Sequence, residues 1–549
     1  MNAVLPNMTN YEETRTSFTL HVPDRFNFSF DVFDPWAEDT TRVALKIIEP
    51  DGKTASPYTY HELTHLSLKF ANVVNALGLS KGDRVMVMLP WTHKWYVAFL
   101  GMIRLGIIPI PTTTLCTPHD IAYRLNQSGA SMVITDTDNS HKVDEARRSC
   151  PNLKLAMLTN GEKQGWLCYD EEMKRATPAF KRSIYTSSHD DMLLYFTSGT
   201  TAYPKMVLHS QASYAIAHLI TAKLWQDIYP NDLFWTITDT GWAKAAWGSF
   251  FGQFSLGATI ANHKFPQKFD PELALRILDE HGISVFCAPP TVYRMMVQRN
   301  ISHARMKQLR HCVSAGEPLN PEVMSIWKEK TGLTIYDGYG QTETVLLIGN
   351  YRCNPVRPGS MGKPAPGFTI SIVDDEGRER PVGQEGNIAI RIKPERPVGL
   401  FNGYWNNPEE TERAFSGEWY YTGDRAYRDE DGYFWFVGRA DDVILSAGYR
   451  IGPFEIESAL IDHHAVVEAA AIAVPDQLRG EIVKAFVVLA SGYTGSDSLS
   501  KELQEHVKKI TAPYKYPRSI EYIQELPKTV SGKIKRNVLR QREQEKHKK

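Results

Sequence analysis

A chain of 549 residues is longer than one hydrophobic core can serve, which calls for two or more domains. Its 62 basic and 63 acidic residues leave a formal charge of −1, so net charge draws the chain neither to nucleic acid nor to an anionic membrane. No uncharged apolar run approaches the roughly 18 residues of a membrane span, and the six scattered cysteines form no CxxC pair. Disulfides and a zinc site are therefore not expected. Residues 1–18 have no basic or apolar leader-like region and carry Glu12 and Glu13, so the expectation is a cytoplasmic protein.

From 81 to 317, short apolar runs alternate with helical patterns. Residues 84–89 read as a buried strand, 92–106 as a helix closing at Gly106, and 131–136 as a second strand. A strand at 234–239, a helix at 271–282 and strands at 284–290 and 311–316 continue the alternation, which predicts an α/β fold with parallel sheets covered on both faces. Between 359 and 437 the strands shorten and Gly and Asp turns multiply, predicting an antiparallel, barrel-like piece. The tail reads as a smaller, separate α+β module, with Pro453 opening a first helical turn and a further helix at 500–510. The expected division is a domain over 1–438 and another over 439–549, joined by a short hinge at 438–442.

Five segments carry chemistry. In 195–210, Thr197, Ser198, Gly199, Thr200 and Thr201 precede Pro204 and Lys205. Hydroxyls, a close-approaching glycine and a lysine suit polyphosphate oxygens, although the Walker A spacing is absent. A Ser/Thr-rich hairpin turn is the plainer alternative. In 334–347, Asp337, Tyr339, Gln341, Thr342 and Glu343 surround Gly338 and Gly340; a carboxylate beside a hydroxyl suits Mg²⁺, and a polar loop at a sheet edge would look the same. Asp424, in Tyr421-Thr422-Gly423-Asp424, can accept from two vicinal ribose hydroxyls. Arg439, in 438–442, and Arg450, after Gly448 and Tyr449, can meet ribose and phosphate. Finally Lys533 follows Ser531-Gly532, a flexible approach to a buried phosphate or else an ordinary surface lysine. No G-x-G-x-x-G follows a strand, which removes a dehydrogenase reading.

In this order, over 84–533, these segments resemble the superfamily of adenylate-forming enzymes, which includes acyl-CoA synthetases, luciferases and peptide-synthetase adenylation domains. TSGTTAYPK is similar to its phosphate loop, YGQTE to its adenine and magnesium motif, YTGD to its ribose motif, GRADD…GYRIG to its hinge and SGK to its catalytic-lysine motif. WTITDTGW, GRADDVILSAGYRIGPFEIESAL, VKAFVVLAS and APYKYPR resemble the medium-chain acyl-CoA synthetase branch. One departure is Ala202 after Thr201, where the family has glycine; alanine disfavours positive φ.

The resemblance implies ATP-dependent activation of a carboxylic acid as its acyl-AMP, then transfer to coenzyme A, with ATP, Mg²⁺ and CoA as cofactors and substrates. Lys533 and Arg450 would be catalytic and Glu343 would hold Mg²⁺. Gly316, Glu317 and Pro318, with Asp337, Gly338, Tyr339, Gly340, Gln341 and Thr342, would line the adenine side, and Asp424 and Arg439 the ribose. Asp441 would be the pivot of a domain rotation; Ala447, Gly448 and Tyr449 would follow the pantetheine, with Arg479 and Lys508 near the CoA nucleotide. Gly340 stands where acetyl-CoA synthetases carry a tryptophan, so acids longer than acetate are expected, linear, branched or aryl. Trp242, Lys244 and Trp247 would border that pocket; Lys244 needs a partner or a depressed pKa if buried, and otherwise points to water. The partners implied are small molecules, with no nucleic acid or membrane, and the chain is compatible with a homodimer. Delivery to a carrier protein, and nucleotide binding without catalysis, are the competing readings.

Overall fold

The computed structural model describes residues 5–547 apart from 183–184, 198–203, 264, 266–268, 302–305, 447–448, 477–479, 513 and 529–532. The largest sheet has nine strands, in the order Lys363–Pro364, Leu346–Gly349, Ile335–Gly340, His311–Ala315, Val285–Ala288, Leu233–Thr236, Thr259–His263, Val43–Ile48 and Ala55–Thr59. The six inner strands run parallel and antiparallel pairs close both ends. Its central strands, VFCA and HCVSA, are buried at every position, as continuous apolar runs in a sheet covered on both faces must be.

A second, parallel sheet orders Ile108–Pro111, Arg84–Met88, Met132–Thr135, Leu155–Leu158 and Leu167–Cys168. The helix His93–Leu105 is apolar almost all round and buried from Trp95 onward. It ends as expected at Gly106, whose φ of 67° is the left-handed conformation that closes a helix. The phosphate-loop segment is an antiparallel hairpin of Asp191–Phe196 and Met206–Ser210, extended by Gly403–Tyr404.

The antiparallel piece consists of Ile370–Val373, Gly386–Arg391, Trp419–Arg428 and Phe415–Ser416, with Phe434–Arg439 also on Trp419–Arg428. The next strand, Ile444–Ser446, belongs to a different sheet, with Tyr449–Ile451, Gly480–Leu489, Val466–Asp476 and Ser519–Tyr522. Helices Pro453–Ile461 and Asp497–Ile510 cover it around a separate core that includes Ile456, Leu460, Val483, Leu503 and Val507. Among the described residues, no helix is long and apolar enough to cross a membrane.

Candidate active site

Strands His311–Ala315 and Ile335–Gly340 lie side by side and parallel, so Gly316 and the 337–343 segment emerge together at their carboxyl ends, the usual ligand-binding edge of a parallel sheet. Gly316 has φ 110°, a conformation that a side chain would strain. Lys244, on the short helix Ala243–Ser249, donates from Nζ to the Ala315 carbonyl at 2.5 Å. Its ammonium also sits 5.7 Å from the Trp247 ring centre, and burial lowers its pKa. It therefore has a partner for its ammonium, although the side chain is only half-buried.

Glu317 is pushed up by burial, and Lys533 is the leading cation that opposes the shift, ahead of Arg294 and Lys244. Lys533 also acts on Lys244 and Asp424. A lysine more than two hundred residues away in sequence thus shares a field with the Gly316–Glu317 loop. Burial raises the Asp337 carboxyl well above the aspartate range, the backbone N–H groups of Gly338 and Leu319 partly offset this, and its Oδ1 is buried with no partner among the described residues. A buried acceptor of this kind calls for a donor such as an ordered water or a bound group.

Asp424 is 6% exposed. Its Oδ2 accepts from Tyr339 Oη at 2.6 Å and from Gln341 Nε2 at 2.7 Å. Gln341 Nε2 also reaches the Thr422 carbonyl at 2.8 Å, and Tyr420 Oη donates to Gln341 Oε1 at 3.1 Å. Asp424 faces Arg439 across the strand pair; burial raises its pKa and Arg439 opposes the rise. Two motifs some 80 residues apart thus become one hydrogen-bonded unit.

Glu343 accepts from Tyr404 Oη at 2.9 Å, and burial pushes its carboxyl up. Lys205 pairs with Glu410 and lies 5.0 Å from the Tyr404 ring centre, which brings the base of the phosphate loop beside Glu343. Thr197 N–H bonds the Lys205 carbonyl at 2.9 Å and closes that loop's neck. The imidazole of His209, buried and kept neutral with its pKa down to about 3, donates to the Thr342 carbonyl at 2.7 Å. Tyr404, Glu410 and His209 are absent from the sequence-derived set. Nothing in their local sequence marks them, because their partners lie 61, 205 and 133 residues away.

A Cβ on Gly340 would start 2.6 Å from the Val345 carbonyl oxygen, where the strand register shifts. The Cβ direction at Gly340 is therefore filled by the chain's own backbone, which favours glycine at this strand end. Trp242 precedes the Lys244 helix, and Trp247 packs 6.1 Å from Trp225. Pro318 follows Glu317 on the same half-buried loop. Asp441, between the two sheets, accepts from Arg439 Nε at 3.1 Å. Lys508 lies on the Asp497–Ile510 helix, pairs with Glu505 and stacks at 4.2 Å on Tyr516. Ser198, Gly199, Thr200, Thr201, Ala447, Gly448 and Arg479 lie outside the described residues, as do the side chains of Tyr449 and Arg450.

The parallel sheets, the hydrogen-bonded union of the 337–343 and 421–424 segments and the separate C-terminal module agree with an AMP-binding enzyme. The AMP-binding enzyme model matches residues 34–405, and the AMP-binding enzyme C-terminal domain model matches 455–533. The chain is 47% identical to acyl-coenzyme A synthetase ACSM3, mitochondrial, of Rattus norvegicus, over 98% of this chain and 94% of that one. It is 46% identical to acyl-coenzyme A synthetase ACSM4, mitochondrial, of Homo sapiens, over 95% and 91%. The crystal structure of the anthranilate CoA ligase AuaEII with anthranoyl-AMP superposes with a TM-score of 0.86 at 29% identity, covering 95% of this chain and 98% of that one. A benzoate CoA ligase from Burkholderia xenovorans LB400 gives 0.83 at 30%, covering 94% and 100%. The chain belongs to the AMP-binding enzyme family, within its acyl-CoA synthetases. These relatives also correct the cytoplasmic expectation: they are mitochondrial proteins and point to the mitochondrion. Composition and a plain N-terminal sequence carry no reliable compartment signal.

Proposed function

We propose that this enzyme joins a short- to medium-chain carboxylic acid, branched and aryl acids included, to coenzyme A through an acyl-AMP, releasing pyrophosphate and AMP. The observation that carries the reading is the convergence of the Asp424–Tyr339–Gln341 unit with Lys533 and Lys244 around the Gly316–Glu317 loop. Attack of a carboxylate on the α-phosphate brings two anions together, so fixed cations and donors must offset the charge before bonds form. Lys533 and Lys244 supply that charge, and Asp424 orients the ribose by accepting from its hydroxyls. The orphan Oδ1 of Asp337 suits an exocyclic amine on the base.

Glu343 fits a Mg²⁺ ion, which keeps several waters and takes few protein oxygens: its carboxylate is oriented by Tyr404 beside Lys205. When bound, the ion would neutralise polyphosphate charge. Lys205 and the hydroxyls of 197–201 would hold the β- and γ-phosphates. Transfer to CoA is favoured over a carrier protein because the relatives that match nearly the whole chain are named acyl-coenzyme A synthetases and CoA ligases.

ATP–pyrophosphate exchange over acids from acetate to octanoate, with branched and aryl acids, followed by CoA addition, tests the reading. Exchange peaking beyond acetate with CoA-dependent thioester is the expected result. Exchange without thioester would move the function to another acyl acceptor, and no exchange with any acid would refute it.

A further inference from the structure

Lys533 sits on a hairpin whose base is built with unusual redundancy. Lys528 and Ile534 form an antiparallel bridge, and Lys535 N–H bonds the Pro527 carbonyl at 2.8 Å. Leu526 and Ile534 pack with Ala470, Phe486 and Leu539. One leg is tied by Lys528 to Glu468 at 2.5 Å. The other ends at Arg536, three residues after Lys533 and the first residue of the helix Arg536–His547.

Arg536 joins that leg to two buried carboxylates. Its Nη2 reaches both oxygens of Glu457 at 2.7 Å, its Nε reaches Oε1 at 3.2 Å, and its Nη1 reaches Asp442 Oδ2 at 3.5 Å. Glu457 is 6% exposed and Asp442 7% exposed. Glu457 Oε1 also accepts from Ala471 N–H at 2.8 Å, so it is fixed to the strand Val466–Asp476 of this module. Asp442 is held a second time by Arg540, from the same terminal helix. Two guanidinium groups and two carboxylates balance in charge. The planar fork of arginine, which lysine lacks, satisfies both oxygens of Glu457 at once.

Asp442 directly follows Asp441, the residue proposed above as the pivot. We propose that Arg536 is a positioning residue for Lys533. It locks the lysine hairpin to the first fixed residue beyond the pivot and to the core helix, so rotation at 441 moves Lys533 as part of one rigid piece. The inference rests on the acyl-CoA synthetase reading. It adds that the Arg536–Asp442–Glu457 link serves the adenylation half-reaction, in which Lys533 acts, and not the thioester half-reaction, in which that lysine is withdrawn. A reacting group misplaced by about 1 Å loses on the order of 10²-fold in rate.

The test measures the two half-reactions separately in Arg536→Gln, Arg536→Lys and Glu457→Gln, using the acid with the highest wild-type exchange. Acyl-AMP formation is followed by pyrophosphate exchange, and thioester formation by AMP release from supplied acyl-AMP and CoA. Adenylation in R536Q is expected to fall by about 10²-fold with thioester formation within about twofold, and R536K to recover part of the loss. E457Q keeps the side-chain shape and the acceptor for Ala471, so it reports on the link if R536Q folds poorly. Hydrogen exchange across 526–536 reads the anchoring directly and should rise in all three variants. Equal loss of both half-reactions in the folded variants, unchanged adenylation, or unchanged exchange protection of the hairpin would overturn the proposal. A wild type that adenylates no acid would instead count against the functional reading, and the hydrogen-exchange result would still decide whether Arg536 anchors the hairpin.

Discussion

Asp424 is a buried carboxylate, and replacing it with Asn separates the stability cost of that burial from the ribose role proposed for it. The side chain is 6% exposed, and burial raises its pKa above the ordinary 3.8. Between 3.8 and its folded value, the unfolded chain releases a proton that the folded chain still holds, so stability falls across that window and the cost persists at neutral pH. Asn is neutral in both states and can place its oxygen where Tyr339 and Gln341 both donate. D424N should therefore gain about 0.5–2 kcal/mol at pH 7, the usual return for relieving a functional site. The gain should shrink as the pH is lowered to 3.8 and vanish below it, where Asp424 is protonated in both folded and unfolded chains. Charge-assisted bonds to the ribose hydroxyls are worth about 1.5–3 kcal/mol, so the same variant should lose about 10- to 150-fold in kcat/KM for ATP. Urea unfolding at pH 7 and at lower pH, with ATP saturation kinetics, measures both effects. A variant that is less stable at pH 7, a stability difference that ignores pH, or an unchanged ATP dependence would refute the reasoning.

Acidification should act through buried neutral imidazoles. His209 and His311 are held down to about 3 and about 4 by burial, so the unfolded chain takes up protons first as pH falls below the ordinary 6.5; each then costs about 2 kcal/mol at pH 5, read as a drop in urea stability that His209→Gln reduces. Tyr404→Phe removes the hydroxyl that orients Glu343 and should raise the Mg²⁺ concentration for half-maximal exchange by about 10- to 100-fold, with the fold intact by circular dichroism. Gly340→Ala places a methyl 2.6 Å from the Val345 carbonyl and should cost about 1–3 kcal/mol in urea unfolding, even though the residue is exposed.

The sequence alone determined the elements and the chemical inventory. The expected strand at 84–89 is Arg84–Met88, the helix at 92–106 is His93–Leu105, and the helix at 271–282 is Pro271–Glu280. Such elements are legible because apolar periodicity and caps are local. The five motifs are legible for the same reason, since their hydroxyls, glycines and charges stand at short fixed spacings along the chain. Tertiary structure decided what those motifs touch. The order of the nine-stranded sheet inserts 43–59 beside 259–263, and no local pattern records a pairing across some 200 residues. The support of Glu343 by Tyr404, of Thr342 by His209 and of Lys205 by Glu410 arises from chain segments that meet only in the fold. The backbone constraint on Gly340, whose Cβ direction is filled by Val345, is likewise visible only in the fold. Residue type reports what chemistry a side chain can do; only packing fixes which atoms occupy the space around it.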